Sequence, residues 1–421
     1  MSRYIHPPLA NADSQLSYTD ELAVSLDTLV RRYPPSALGP SGGLYAGLLS
    51  VTHLFWKLDK IFKKGIFVQG RSLREWYKAY WNQAKRYEVA LIGEAGIEGI
   101  KVRPWRGGVG EDTIVYAAMT IIASVETKDP LIEKQVKAFC AAARQVVGKA
   151  SADQERKHGK PASNEWLYGR AGTLYLLRVI RHAVFINETA EPSLKDTIDD
   201  TIRALINEIV YAPRPWIWHG KAYIGGVHGS AGIITQALRS METIKDERNE
   251  DLLNAIRPDV EQLIDLQLPS GNWPSSIPST DSANSHTADR LVQFCHGSPG
   301  IIPCLAAITR FYPSLSPRIA ASIHRAQQDI ADRGWLKKEP CLCHGASGNA
   351  LSVSDKRSRD AFLVGTTERE LQKLQSKAMV GESDSGEGLY TGIAGRAWVW
   401  AKLAMEEDDN RAGLFLGFDD V

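Results

Sequence analysis

One short pattern returns along this chain and limits its fold more than any other feature: an apolar or aromatic pair followed by G-x-x-G. It occurs as WLYGRAG ending at Gly172, GVHGSAG at Gly232, FCHGSPG at Gly300, LCHGASG at Gly348 and LYTGIAG at Gly395. LYAGLLS is a weaker copy with Ser50 in place of the second glycine. RGGVGEDT supplies another with Thr113 in that place, although LIGEAGI around Gly93 competes for it. The first glycines are Gly47, Gly110, Gly169, Gly229, Gly297, Gly345 and Gly392, so consecutive copies lie 47 to 68 residues apart. Glycine at such points permits positive φ and close backbone approach where a loop turns into a packed helix. A single copy would be no more than a helix start, but seven in register indicate a repeat architecture.

Each interval has room for a helical hairpin. After Gly172, Leu174, Leu177, Ile180 and Val184 share one helical face while Arg178, Arg181 and His182 share another. A second amphipathic segment follows, with Ile202, Leu205, Ile206 and Ile209 apolar against Asp199, Asp200, Arg203 and Glu208. Strand-type alternation is scarce. The expected unit is loop, G-x-x-G, helix, turn, helix, repeated seven times in an all-α closed ring that buries each hairpin against two neighbours.

The charge balance, 50 Lys+Arg against 49 Asp+Glu in 421 residues, argues against nucleic acid as a partner, because phosphate binding needs concentrated cationic charge. No run of apolar residues is long enough to span a bilayer; the longest, Ile114 to Val125, is broken by Thr120 and Ser124. Peripheral membrane attachment stays open. The start, MSRYIHPPLANADSQ, has neither a signal-type apolar core nor a glycine after Met1, so a cytoplasmic protein is expected. Five cysteines are too few and too odd in number for a disulfide framework.

Two loops carry unusual chemistry. FCHGSPG contributes Cys295 and His296, and CLCHGASGN contributes Cys341, Cys343 and His344. Paired C-x-x-C spacing is absent, but a ring would carry these equivalent points to neighbouring positions at its mouth. Thiolate and imidazole donors suit zinc, and three protein ligands leave a fourth tetrahedral position for water or substrate. Cys295 and Cys343 are the expected thiolate ligands, with Cys140 and Cys304 assigned to the core. His296 and His344 occupy equivalent places, so the sequence does not choose between them.

The set NEWLYGRAG, GVHGSAGI, GNWPSSI, FCHGSPGI, KKEPCLCHGASGN and LYTGIAG resembles the LanC-like family, the eukaryotic relatives of bacterial lanthionine synthetase cyclases, over nearly the whole chain. That resemblance implies an (α/α)7 double toroid with seven inner and seven outer helices, here a single domain over 1–421 with 1–38 as an N-terminal extension packing on the ring. It implies Zn2+ held by Cys295, Cys343 and His344. It also implies zinc-dependent addition of a thiol, glutathione in eukaryotic members, to dehydroalanine or dehydrobutyrine in peptides or proteins.

Such an addition needs a proton donor and a partner for the developing negative charge. His228 is the candidate for proton transfer. Arg170 would support the oxyanion or else pair with Glu165, and Trp273 would wall the substrate cleft or else pack. Arg3 and Lys338 match positions that meet glutathione's carboxylates in animal relatives. Two departures stand out: VGESDSGEG is acidic where relatives carry an arginine, and Asn164 stands where bacterial cyclases have an aspartate. The alternative to an enzyme is a non-catalytic zinc-containing protein that binds glutathione or another small ligand in signalling or as an adaptor. A carbohydrate-processing toroid would need paired acids on these loops, which carry thiols and imidazoles instead.

Overall fold

A computed structural model describes residues 3–5, 16–62, 65–185, 192–246, 248–278, 289–409 and 417. Helices dominate, and the repeat glycines mark where the inner ones begin. These inner helices are Gly47–Ile61, Asp112–Thr127, Arg170–Phe185, Ser230–Thr243, Ser298–Thr309, the short Ala346–Ala350 and Ile393–Asp409. They are apolar almost all round because both sides are covered: in Gly47–Ile61 every residue from Gly47 to Leu58 is buried. Even Arg178 of the third inner helix, on the face that reads as polar, is 1% exposed and donates to Gln236 Oε1 at 2.7 Å.

The outer partners bury only one stripe. In Pro192–Val210 that stripe is Leu194, Ile198, Ile202, Leu205, Ile206 and Ile209, a helical spacing set against solvated Lys195 and Arg203. Leu73–Lys85 packs on the first inner helix, Ile132–Ala143 packs on the second and also against Pro192–Val210, and Glu250–Asp265, Ser316–Arg333 and Lys356–Val364 back the fourth, fifth and sixth. The outer partner of the last inner helix comes from the other end of the chain. Tyr18–Arg32 packs along Ile393–Asp409, which also touches Gly47–Ile61, so first and last repeats meet.

The loops close a second, smaller ring of backbone hydrogen bonds. Leu44 N–H donates to Val109 O at 2.8 Å, Gly110 N–H to Leu167 O at 2.6 Å, Trp166 N–H to Val227 O at 3.1 Å and Gly226 N–H to Phe294 O at 3.2 Å. Cys295 N–H then donates to Cys343 O at 3.2 Å, Cys343 N–H to Tyr390 O at 2.9 Å and Tyr390 N–H to Tyr45 O at 3.0 Å, returning to the first loop. This ladder explains the second glycine of each motif. A Cβ on Gly172, Gly300 or Gly348 would sit 2.1, 1.9 or 1.9 Å from the carbonyl oxygen of the residue six positions earlier. Close approach is thus the general requirement. Among the first glycines of the motifs, positive φ is needed at Gly47 (71°) and Gly297 (109°).

Candidate metal centre

The two residues before each first glycine sit at the mouth of the ring. The outer of these positions carries Tyr45, Cys295, Cys343 and Tyr390, and the inner one carries Tyr168, His228, His296 and His344. The ladder pins Cys295 directly to Cys343 through their backbones. Ligand atoms of Cys295, Cys343 and His344 consequently all lie within 4.8 Å of one another, with both cysteines buried. Donors around a tetrahedral ion with metal–sulfur bonds of about 2.3 Å and metal–nitrogen bonds of about 2.0 Å stand roughly 3.5–3.8 Å apart. The triad's upper bound of 4.8 Å includes that spacing. Two sulfurs and an imidazole form a donor set for a borderline-soft divalent ion, and three residues leave one position open.

The electrostatics fit a cation. Hydrogen bonding from Cys343 and from His344 holds the Cys295 thiol well below its ordinary range despite burial. Burial and the neighbouring Cys295 charge push Cys343 up. Burial opposes charge on His344, yet hydrogen bonds to Cys295 and Cys341 drive it up to about 10. Without metal the cluster therefore holds protons where a cation would sit. Gln293 Nε2 donates to Cys295 Sγ at 2.9 Å, and Tyr45 O–H donates to Cys343 Sγ. His344 Nε2 lies 3.4 Å from Asp384 Oδ2, within the acidic stretch that precedes LYTGIAG, giving this imidazole an outer carboxylate. All five cysteines are unpaired and buried.

His296 goes elsewhere. Its backbone pairs with Gln293 in a tight turn, and its ring faces Tyr223 at 5.3 Å and His228 at 6.4 Å between centroids. Burial lowers its pKa, and its Nδ1 is buried with no hydrogen-bond partner. His228, one loop further round, has Nδ1 at 2.8 Å from Glu165 Oε2 and lies flat on Trp218, at 3.8 Å and 6°. Glu165 is 1% exposed and also accepts from Leu167 N–H at 2.9 Å and from Tyr168 N–H. The loops of His228 and Cys295 touch: a Cβ on Gly225 would lie 2.1 Å from Cys295 O.

The other expected site residues divide. Arg3 and Lys338 lie on adjoining segments, because residues 3–5 pair with 335–337: Lys337 N–H donates to Arg3 O at 2.9 Å and Ile5 N–H to Trp335 O at 2.9 Å. Lys338 Nζ donates to Gln293 Oε1 at 3.3 Å, the glutamine that reaches Cys295. Arg170 does not pair with Glu165. It is 4% exposed and spends its guanidinium on Val146 O, Asn164 Oδ1 and Ser151 Oγ, each at 2.8 Å, and on Glu208 at 3.3 Å. Trp273 is not a cleft wall. It is 1% exposed in the core and its indole N–H donates to Leu263 O at 2.7 Å. Tyr45 and Gln293 were not singled out by sequence, and Glu165 only as a partner for Arg170; Tyr45 shares the repeat position of the two cysteines, which is the signal that could have found it.

A cavity of about 1270 Å³ reaches His228 and is lined also by Trp105, Tyr168, Glu165, Arg170 and Trp218, while none of the three candidate ligands lines it. Among the described residues no helix is long and apolar enough to cross a membrane.

Residues 41–416 match the family described as Lanthionine synthetase C-like protein. A Danio rerio protein named Glutathione S-transferase LANCL1 is 30% identical over 199 residues. That match spans 44% of this chain and 45% of the relative, so the chain covers about half of the curated relative's length. A solved structure of Nisin cyclase superposes over 93% of this chain and 94% of its own, with a TM-score of 0.50 and 14% identity, which is a likeness of fold.

Proposed function

This chain belongs to the lanthionine synthetase C-like family, and from that premise we propose that it joins a thiol, with glutathione the expected donor, to dehydroalanine or dehydrobutyrine residues of peptides or proteins. The observation that carries the reading is the convergence of Cys295, Cys343 and His344 within 4.8 Å. Zinc, the expected ion, supplies when bound a Lewis acid that lowers the pKa of a thiol at its open position below the ordinary value of about 8.5.

The remaining work falls to the chain. Lys338 brings a cation to Gln293, which itself reaches Cys295, and Arg3 is tethered by its backbone to the neighbouring Lys337; these are the cations expected to meet the carboxylates of a tripeptide thiol. In the reaction the sulfur's electron pair forms a bond to the acceptor's β-carbon, and the displaced π-electrons pass to its α-carbon and carbonyl oxygen. A proton must then reach the α-carbon. His228 has committed Nδ1 to Glu165, which leaves Nε2 to exchange that proton, and the buried carboxylate supports the charged ring. Glutathione abundance and unpaired thiols suit a cytoplasmic setting.

Incubation with a dehydrobutyrine peptide, glutathione and zinc should add one glutathione mass per dehydro residue, and Cys343→Ala should abolish both metal retention and turnover. Absence of any zinc-dependent adduct across several thiols would overturn the reading.

A further inference from the structure

We propose that the cavity reaching His228 is the docking site for the acceptor peptide, selecting an aromatic or large apolar side chain beside an acidic residue; this rests on the reaction proposed above. Its volume of about 1270 Å³ exceeds the roughly 300–1,000 Å³ of small-ligand pockets, which suits a peptide segment more than a small electrophile. Its aromatic wall is continuous with the proton relay. Tyr168 stacks on Trp218 at 6.3 Å and 10°, and Trp218 lies on His228.

That wall is rigidly held. Trp218 and Lys221 exchange backbone hydrogen bonds of 2.9 and 3.0 Å across His219 (φ 47°) and Gly220 (φ 74°), a two-residue hairpin with both central residues left-handed. At the rim Tyr211 and Ile217 are 62% and 52% exposed, extending the apolar surface outward.

The charges give the second half of the selection. The cavity's acids are answered inside the protein: Glu165 by His228 and two backbone amides, Glu208 by Arg170 and Gly148 N–H, and Glu155 by Ser151 O–H. Arg106 is tied to Glu111. Lys160 is exposed, stands 5.8 Å from the Trp105 ring and has no carboxylate in ion-pair reach among the described residues. Lys160 is thus the cation of the lining without an ion pair among the described residues, Arg106 and Arg170 being held by Glu111 and Glu208, so an acidic residue of the peptide would be the first carboxylate it meets.

Binding is testable without turnover. A labelled peptide with 2-aminobutyrate in place of dehydrobutyrine, flanked by Phe and Glu, is titrated by fluorescence anisotropy against versions with Ala for Phe or Lys for Glu. The parent peptide should bind about three- to tenfold more tightly than either. Lys160→Glu should reverse the Glu-over-Lys order, and Lys160→Met should erase it. Equal affinity for all three peptides, or an order unchanged in both variants, would overturn the docking site. The dehydrobutyrine version is assayed in parallel for thiol addition. Discrimination in binding without an adduct supports the docking site and removes the reaction; an adduct without discrimination does the opposite.

Discussion

Glu165→Gln should disable the proton relay and leave the metal cluster intact. The carboxylate takes three N–H groups, from Leu167, Tyr168 and His228 Nδ1, at a position 1% exposed. Glutamine has the same shape but a single oxygen, so its NH2 must face one of those donors. Hydrogen bonds to a charged acceptor contribute about 1.5–3 kcal/mol, and an unsatisfied buried donor costs about 1–3 kcal/mol, so a stability loss of about 2–4 kcal/mol is expected. The kinetic loss should be larger in kind. An imidazole facing an amide N–H can no longer form a supported cation, and a positioned acid-base group is worth about 10²–10⁴-fold in rate. The assay is the glutathione adduct followed by mass spectrometry, with zinc content and circular dichroism measured on the same preparations. Because the two residues act as a unit, Glu165→Gln combined with His228→Gln should be no slower than His228→Gln alone. A near-normal rate for Glu165→Gln, or losses that add in the double variant, would refute the relay.

Three further outcomes follow from the same geometry. Gly348→Ala should unfold the sixth loop or cost more than about 4 kcal/mol, since its Cβ would lie 1.9 Å from Leu342 O, whereas Gly381→Ala, whose Cβ meets only Lys337 O at 3.6 Å, should be tolerated in thermal melts. Trp273→Phe should lower stability by about 1–3 kcal/mol through the orphaned Leu263 carbonyl and leave the peptide KM unchanged. Hydrogen bonds to Cys295 and Cys341 push His344 up to about 10 against the opposing effect of burial, and burial raises Cys343, so the metal-free cluster holds protons near neutrality. Zinc must expel them, so affinity should rise with pH near neutrality and fall on acidification, measurable by calorimetry in buffers of different ionisation enthalpy; binding that releases no proton would contradict it.

Much of the architecture was legible because glycine is hard to replace where two backbones meet. The same motifs that mark the helix starts at Gly172, Gly300 and Gly348 turn out to be contacts with carbonyls six residues back, a periodic need that leaves a periodic trace. Other features left none. The packing of Tyr18–Arg32 on Ile393–Asp409 joins residues some 370 positions apart, and no local pattern encodes which helix covers the last repeat. His296 and His344 have the same neighbours in sequence, and they part only because the turn pairing His296 with Gln293 aims that ring at Tyr223. Arg170 and Glu165 sit five residues apart and pair readily on paper, yet Glu165 folds back on its own loop amides and Arg170 turns to Glu208. Trp273 reads alike as a wall or as packing until its indole partner, ten residues earlier, is seen.

Zinc K-edge absorption fine structure on the purified protein tests the centre most directly. Two sulfur neighbours at about 2.3 Å and two lighter atoms at about 2.0–2.1 Å are expected, with the sulfur count rising to three when glutathione is added. A shell without sulfur, or one that does not change with glutathione, would contradict a thiol-accepting site built from Cys295, Cys343 and His344.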